Sequence, residues 1–322
     1  MAIDIKKVLS TYGILDFGKP KLITSEEEKM EYIIDDKYIL EVNNSEYLTE
    51  NKIIYINKLV DRYKEFGLLA PKYIANLDGD FIYSFENNYC LVKEYIPYKT
   101  LKESNVSYLD INKEVYDYIA SYSTKYKNQD IFPFRTTHTV IDLSPLDSEV
   151  DEKQANLNML LDTLKKAGFV DLKNKLEKFN ENVRSELKLI FKKLPRCNYS
   201  GILTSRNIYI KDNHFAGFKN FDYCGSEVIV NYMVNEARPN LSEEDFLDLS
   251  AAEIRNKILN DHREKMAYML KNYNASIEEK KALELYNKLL FISGFTYYNI
   301  YKNVLRTKNR NKVTTLLQLL IV

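Results

Sequence analysis

The stretch Ser200–Glu227, SGILTSRNIYIKDNHFAGFKNFDYCGSE, decides the fold. Asn207-Ile208-Tyr209-Ile210 and Phe215-Ala216-Gly217-Phe218 are β-rich runs on either side of KDNH, and this pattern predicts a short hairpin. Long segments with apolar residues at three- and four-residue steps surround it. They predict helices near 110–126, 152–167, 170–194, 227–237, 242–273 and 277–304. Ser242 with Asp245, and Ser276 with Glu279, have the spacing of capping boxes. Residues 128–150 hold Pro133 and Pro145 without periodicity and are expected to form a loop. One hairpin is thus set into an otherwise helical stretch.

Upstream of residue 100 the pattern changes. Tyr32-Ile33-Ile34 and Tyr38-Ile39-Leu40-Glu41-Val42 predict two strands joined at Asp35-Asp36-Lys37. A helix is expected from Tyr47 to Phe66, with Ile53, Ile56, Leu59, Val60 and Tyr63 on its apolar face and Gly67 as its stop. Tyr73-Ile74-Ala75 and Phe81-Ile82-Tyr83 flank Leu77-Asp78-Gly79-Asp80, which reads as a hairpin turn. A third run, Tyr89–Tyr95, ends near Pro97. The expected order is two strands, a helix and a three-stranded meander over residues 1–97, then a helical part over 98–322 carrying the 200–224 hairpin.

Composition sets outer limits. With 322 residues and ~150 per domain, two domains or lobes are expected. Hydrophobic residues at 45% suffice for a sizeable core. Lys+Arg and Asp+Glu are each 46, a balance that argues against a nucleic-acid binder. No apolar run reaches the ~18 residues of a membrane span, and MAIDIKKVLSTYG lacks the apolar region of a secretion signal, so a cytoplasmic protein is expected. Cys90, Cys197 and Cys224, with His138, His214 and His262, show no metal-ligand spacing, and buried inert thiols are expected. Ser200 near Cys197 and His214 lacks the strand–turn–helix context of a nucleophile, and His138 in Thr136-Thr137-His138 reads as a solvated loop histidine. The basic stretch RTKNRNK, Arg306–Lys312, reads as a solvated helix end.

A strand-rich lobe with one helix, a strand ending near a proline, and a helical lobe with one hairpin resemble the protein-kinase-like fold. The finer pattern resembles the aminoglycoside and choline phosphotransferases, and within them the spore-coat CotS-type kinase-like proteins. Residues 68–97, 200–227 and 272–301 carry the resemblance, together with the opening VLSTYGI. It implies an α+β, bilobal kinase-like fold.

The same resemblance marks where chemistry is missing. Active relatives carry His-Gly-Asp-x-x-x-x-Asn before the hairpin, the Asp orienting the acceptor hydroxyl and the Asn helping to hold magnesium. Here the stretch is Ser200-Gly201-Ile202-Leu203-Thr204-Ser205-Arg206-Asn207, with Ser200 at the His position and Ile202 at the Asp position. An isoleucine neither accepts a proton nor a hydrogen bond. After the hairpin, where relatives bind magnesium with Ile-Asp-Phe-Asp/Glu, this chain has Lys219-Asn220-Phe221-Asp222. Asn220 keeps an oxygen but not the charge that favours a hard cation. Glu41 stands at the position of the phosphate-binding Lys, where an acid repels phosphate. The following helix has no acid between Asn51 and Val60, and Lys37 and Lys52 read as surface lysines.

The combination implies a pseudokinase with no intact catalytic residue and remnant cofactor or metal positions at Asn207, Asn220 and Asp222. No cofactor is expected. A binding or structural role in the spore coat, with protein partners, is the leading expectation, with a small molecule in the inter-lobe cleft as a further option. The alternative is an active small-molecule phosphotransferase using ATP and magnesium, with Asn207, Asn220 and Asp222 on the metal. A nucleotide-sensing pseudokinase lies between the two.

Overall fold

The computed structural model describes residues 4–25, 29–44 and 48–321. The chain forms two compact units, one of residues 1–111 and 203–222 and the other of 112–202 and 223–322. The first is strand-rich and antiparallel, the second largely helical, and the α+β class expected from sequence holds. Among the described residues no helix is long and apolar enough to cross a membrane.

The first unit opens with α1 (Ile5–Thr11), whose N-terminus is capped by the Asp4 side chain. Strands β1 (Lys21–Ser25), β2 (Lys29–Ile34) and β3 (Tyr38–Asn43) follow, and β2 turns into β3 through Asp35 and Asp36, both at left-handed φ. Short Asx side chains tolerate that region, so the turn sits where the sequence predicts it. Tyr47, the expected start of the helix, lies outside the described residues. Helix α2 (Glu50–Glu65) begins one residue after Thr49, whose hydroxyl accepts from the Lys52 amide, and it buries Ile53, Ile56, Leu59, Val60 and Tyr63.

The meander differs from expectation. Strands β4 (Tyr73–Ile74) and β5 (Ile82–Phe85) do not pair with each other. Both pair with β6 (Asn88–Glu94), along one edge, while β3 takes the other edge. A tight turn at Glu86-Asn87, both at positive φ, joins β5 to β6. The turn expected at Leu77–Asp80 is also present, with Gly79 at φ +97°, the Gly79 amide donating to Asn76 O at 3.1 Å and the Asn76 side chain accepting from the Asp78 and Asp80 amides, but it joins β4 to β5 without pairing them. One face of the sheet buries Leu40, Val42, Cys90 and Val92 against Val8 and Leu9 of α1 and Tyr12 that follows it.

The predicted hairpin is present as β9 (Ile208–Lys211) and β10 (His214–Phe218), with β7 (Lys99–Thr100) on the outer edge of β9. It belongs to the strand-rich unit, although the sequence reading grouped it with the helical part. The reason is local. Leu69 N–H donates to Ala216 O at 2.8 Å and Phe218 N–H to Leu69 O at 2.9 Å. A Cβ on Gly217 would sit 1.9 Å from the Leu69 oxygen, and Gly217 has φ +152°, so only glycine permits this junction.

Helix α3 (Tyr108–Lys125) leads into the second unit, which holds α4 (Glu152–Lys166), α5 (Val170–Ile190), α6 (Ile229–Glu236), α7 (Asp245–Asp248), α8 (Ala251–Lys271), α9 (Ile277–Ser293), α10 (Phe295–Val304) and α11 (Arg310–Leu320). Strand β8 (Arg196–Tyr199) pairs with β11 (Gly225–Val228), so the helix expected from 227 starts only at Ile229. Two expected helices are divided. The 242–273 segment breaks at Leu249, because Ser250 and Glu253 form the capping box that starts α8, while Ser242 bonds Asp245 at the start of the short α7. The 277–304 segment breaks at Gly294, which is extended at φ −68°, ψ 136°; Ser276 and Glu279 cap α9 as predicted. The RTKNRNK stretch spans the α10–α11 turn, where Arg306, Lys308 and Arg310 are exposed and Lys312 donates to the Phe246 and Leu247 carbonyls. All three cysteines are buried thiols outside any disulfide.

Candidate functional site

The face of the β-sheet opposite α1 carries the charged residues. Alternation along β3 sends Leu40 and Val42 into the core and puts Ile39, Glu41 and Asn43 on the other side. The register places Glu31 of β2 directly across from Glu41, and Lys93 of β6 across from Ile39, one diagonal from Glu41. Two carboxylates facing each other repel, so the arrangement needs cations.

Lysines on the flanking strands supply them. Lys29 Nζ lies 3.0 Å from Glu31 Oε1 and 3.3 Å from Glu41 Oε2, while Lys93 Nζ donates to Glu41 Oε1 and lies 3.9 Å from Glu31 Oε1. Thr24 Oγ1 donates to the second Glu31 oxygen at 3.0 Å. Glu41 is fully buried. Burial favours neutral amines at both lysines, but the Glu41 and Glu31 carboxylates outweigh it and hold the two pKa values above the ordinary lysine range. Glu41 therefore does not present an unbalanced negative charge. It is one member of a four-residue ion-pair cluster whose cations stand on the strands flanking β3.

Asp222, on the segment after β10, adds to the field at Lys29 and Lys93. Asn220 Nδ2 donates to Asp222 Oδ2 at 2.9 Å, and the Asp222 amide returns a bond to Asn220 Oδ1 at 2.9 Å. Lys52 Nζ donates to the Asp222 carbonyl at 2.5 Å, so it is a half-buried structural lysine and not the surface residue expected; Lys37 is exposed. Asn207 joins the same unit: its amide donates to Thr204 O and its carbonyl accepts from Lys219 N–H at 2.8 Å. These donors fit magnesium poorly. Both functional atoms of Asn220 are spent on Asp222, and the Asp222 carboxylate already acts on the charges of Lys29 and Lys93. Among the described residues no group of three or more His, Cys, Asp or Glu could hold a metal ion.

The other half of the motif lies in the second unit. Ser200 is buried beyond the end of β8, and Ile202 is half-buried. Gly201 has φ +106°, its carbonyl accepts from the Tyr232 hydroxyl at 2.8 Å, and a Cβ there would meet the Tyr223 oxygen at 2.7 Å. Gly201 thus has a steric reason to be glycine that needs no catalysis. His214 is exposed on β10.

His138 corrects the expectation of a solvated loop. It is 5% exposed, and its Nε2 bonds Glu236 Oε1 at 2.8 Å. Around it Thr136 donates to Glu227, Asn231 bridges Glu227 and the His138 carbonyl, and Lys153 Nζ donates to Asn235 Oδ1 at 2.5 Å. Every residue of α6 is buried, so its Asn231, Asn235 and Glu236 must be satisfied internally. Burial pushes His138 below the ordinary imidazole value, Glu236 partly opposing it, and pushes Lys153 down to about 8.

The sequence reading found Glu41, Asn207, Asn220 and Asp222 but missed Lys29, Glu31 and Lys93. The available signal was the alternation in Lys29-Met30-Glu31 and Val92-Lys93-Glu94, once β2, β3 and β6 are aligned.

No family model matches the sequence, and no curated protein matches it. Among solved structures, an aminoglycoside phosphotransferase from Alicyclobacillus acidocaldarius subsp. acidocaldarius DSM 446 aligns with 100% of this chain and 97% of its own, at a TM-score of 0.55 and 10% identity. An amicoumacin kinase aligns over 99% and 92% of the two chains at 14% identity, but at a TM-score of 0.49 it adds no argument. The first likeness shows a shared kinase-like fold, and no more than the fold.

Proposed function

We propose that this chain is a non-catalytic, pseudokinase-type binding protein that keeps a kinase-like scaffold and performs no phosphoryl transfer. The observation carrying this reading is the buried Glu41, at the position where the resembled phosphotransferases place a phosphate-binding cation, with Lys29 and Lys93 committed to it. A β- or γ-phosphate entering there would compete with Glu41 and Glu31 for both lysines, and each carboxylate would repel it. Asn220 and Asp222 bonding to each other, and Ile202 at the position of the acceptor-orienting Asp, point the same way. The reading expects no cofactor.

The CotS-type resemblance adds a finer proposal: a structural role in the spore coat, reached from the cytoplasm and exercised through protein partners. A fluorescent fusion followed through sporulation of the source cell would be expected to collect on the spore surface, and diffuse cytoplasmic signal throughout would contradict that role. The catalytic question is answered by radiolabelled ATP with magnesium and a panel of aminoglycoside, choline and sugar acceptors. Losing a positioned acid/base alone removes a factor of ~10²–10⁴, so transfer at background level is expected. Turnover of order 1 s⁻¹ on any acceptor would establish the alternative, an ATP- and magnesium-dependent phosphotransferase.

A further inference from the structure

Helices α8 and α9 are consecutive but do not close on each other. Helix α8 packs on α6, α7 and α11, and α9 packs on α4, α5, α6, α10 and α11. Between their facing sides lies a groove of about 450 Å³ that ends beside Leu320 of α11. Its floor is apolar, made by Leu259 and Met266 from α8 and Leu283 and Phe291 from α9. At mid-length His262 ties the helices together: Nε2 meets Asn287 Oδ1 at 2.8 Å and Nδ1 meets the Ala237 carbonyl at 2.9 Å. Both ring nitrogens are engaged, so the imidazole adds a fixed ring edge and no free polar atom.

The rim has a charge bias that the chain as a whole lacks. Arg255 and Arg263 line it from α8, Lys280 and Lys288 from α9, and Glu284 is the one acid among the lining residues, whereas the full sequence balances 46 cations against 46 anions. Arg255 spends its Nε on the Leu319 carbonyl, but Arg263, Lys280 and Lys288 are exposed. On α8, Asp261 pairs with Lys265 and does not line the groove. A volume of this size matches small-molecule sites, which combine an apolar lining with a few placed polar groups.

We infer that this groove is a binding site for an amphiphilic anion, a carboxylate on an extended alkyl body of about a dozen carbons, with the alkyl chain along Leu259, Met266, Leu283 and Phe291 and the head at the cationic rim. Charge complementarity selects the anion, and the apolar floor selects the chain. The site lies wholly within the helical unit and does not depend on the ion-pair cluster of the β-sheet.

Isothermal titration with dodecanoate below its micelle concentration tests this directly, beside dodecanol and dodecyltrimethylammonium. The expected result is saturable one-to-one binding of the carboxylate, weaker for the alcohol and weakest for the ammonium. Lys280→Glu with Lys288→Glu changes only exposed side chains, so the fold should persist by far-UV circular dichroism. It should weaken dodecanoate about tenfold and leave dodecanol unchanged. Absence of saturable binding, equal affinity for the ammonium, or an unchanged carboxylate affinity in the double variant overturns the inference. Binding of an acidic amphipathic peptide where dodecanoate does not bind would also overturn it, in favour of a protein partner.

Discussion

Replacing Glu41 with Gln removes one charge and almost no volume, and it isolates the ion-pair cluster. Lys29 would keep Glu31 at 3.0 Å, but buried Lys93 would lose its hydrogen-bonded partner and keep only Glu31 at 3.9 Å and the weaker field of Asp222. Removing one partner of a buried pair typically costs about 3–5 kcal/mol, a large share of the roughly 5–15 kcal/mol that stabilises most folded proteins. The pH dependence separates this cause from a packing defect. In the native protein the lysine pKa values are raised, so the stability that they contribute is complete below about 10.5 and lost only as pH rises through the folded value. In Glu41→Gln burial dominates at Lys93, its pKa falls, and the unfolded chain then binds more protons than the folded one. Stability of the variant therefore rises with pH, and its deficit narrows between about pH 7 and 10. With no Trp and 26 Tyr, urea unfolding is best followed by far-UV circular dichroism and tyrosine fluorescence. Glu41→Leu with Lys93→Met, which removes both charges, should recover to within about 1 kcal/mol of native. A Glu41→Gln midpoint equal to native, or a deficit independent of pH, refutes the reasoning.

Other outcomes follow from the same physical terms. Lys153 is buried with its pKa pushed down to about 8, so Lys153→Met should raise the unfolding free energy from urea denaturation near neutral pH by about 1–2 kcal/mol, because a shift of that size carries roughly 3 kcal/mol less the hydrogen bond to Asn235; a lower unfolding free energy would contradict it. His138 is held below its ordinary value by burial, so its contribution is complete above about pH 6.5 and falls as the unfolded chain takes up a proton below that; His138→Gln should flatten the acid limb of the stability profile, and an unchanged limb would reject the assignment. Ile202 is half-buried, so Ile202→Asp should cost only about 1 kcal/mol in chemical denaturation and confer no transfer from ATP, since the cations at Glu41 stay committed; measurable transfer by that single variant would show the remaining site intact.

Local chemistry was legible in the sequence where one or two residues decide the outcome. Asp35-Asp36 and the KDNH turn mark their hairpins because left-handed turns need short polar side chains, and Ser276 with Glu279 marks α9 because a capping box is a four-residue device. What depends on distant partners was not legible. The run Gly225–Val228 is a strand only because Arg196–Tyr199 lies beside it, and Tyr73–Ile74 pairs with β6 and not with β5, its sequence neighbour. The site divides in the same way. Glu41, Asn220 and Ile202 stood out by position in a resembled motif. The consequence of Glu41 was hidden, because the lysines that neutralise it come from β2 and β6 and meet it only through the register of three strands.

The central claim is that the cations near Glu41 are committed within the protein and do not receive a nucleotide. Calorimetric titration of the native chain with ATP and excess magnesium, paired with a thermal melt at the same concentrations, tests it most directly. A ligand at about a hundredfold excess over its dissociation constant adds ~2.7 kcal/mol to folded stability, a shift that a melt cannot miss. No saturable heat and an unmoved melting temperature are expected at millimolar magnesium-ATP. Saturable binding with a micromolar dissociation constant and a raised melting temperature would contradict it.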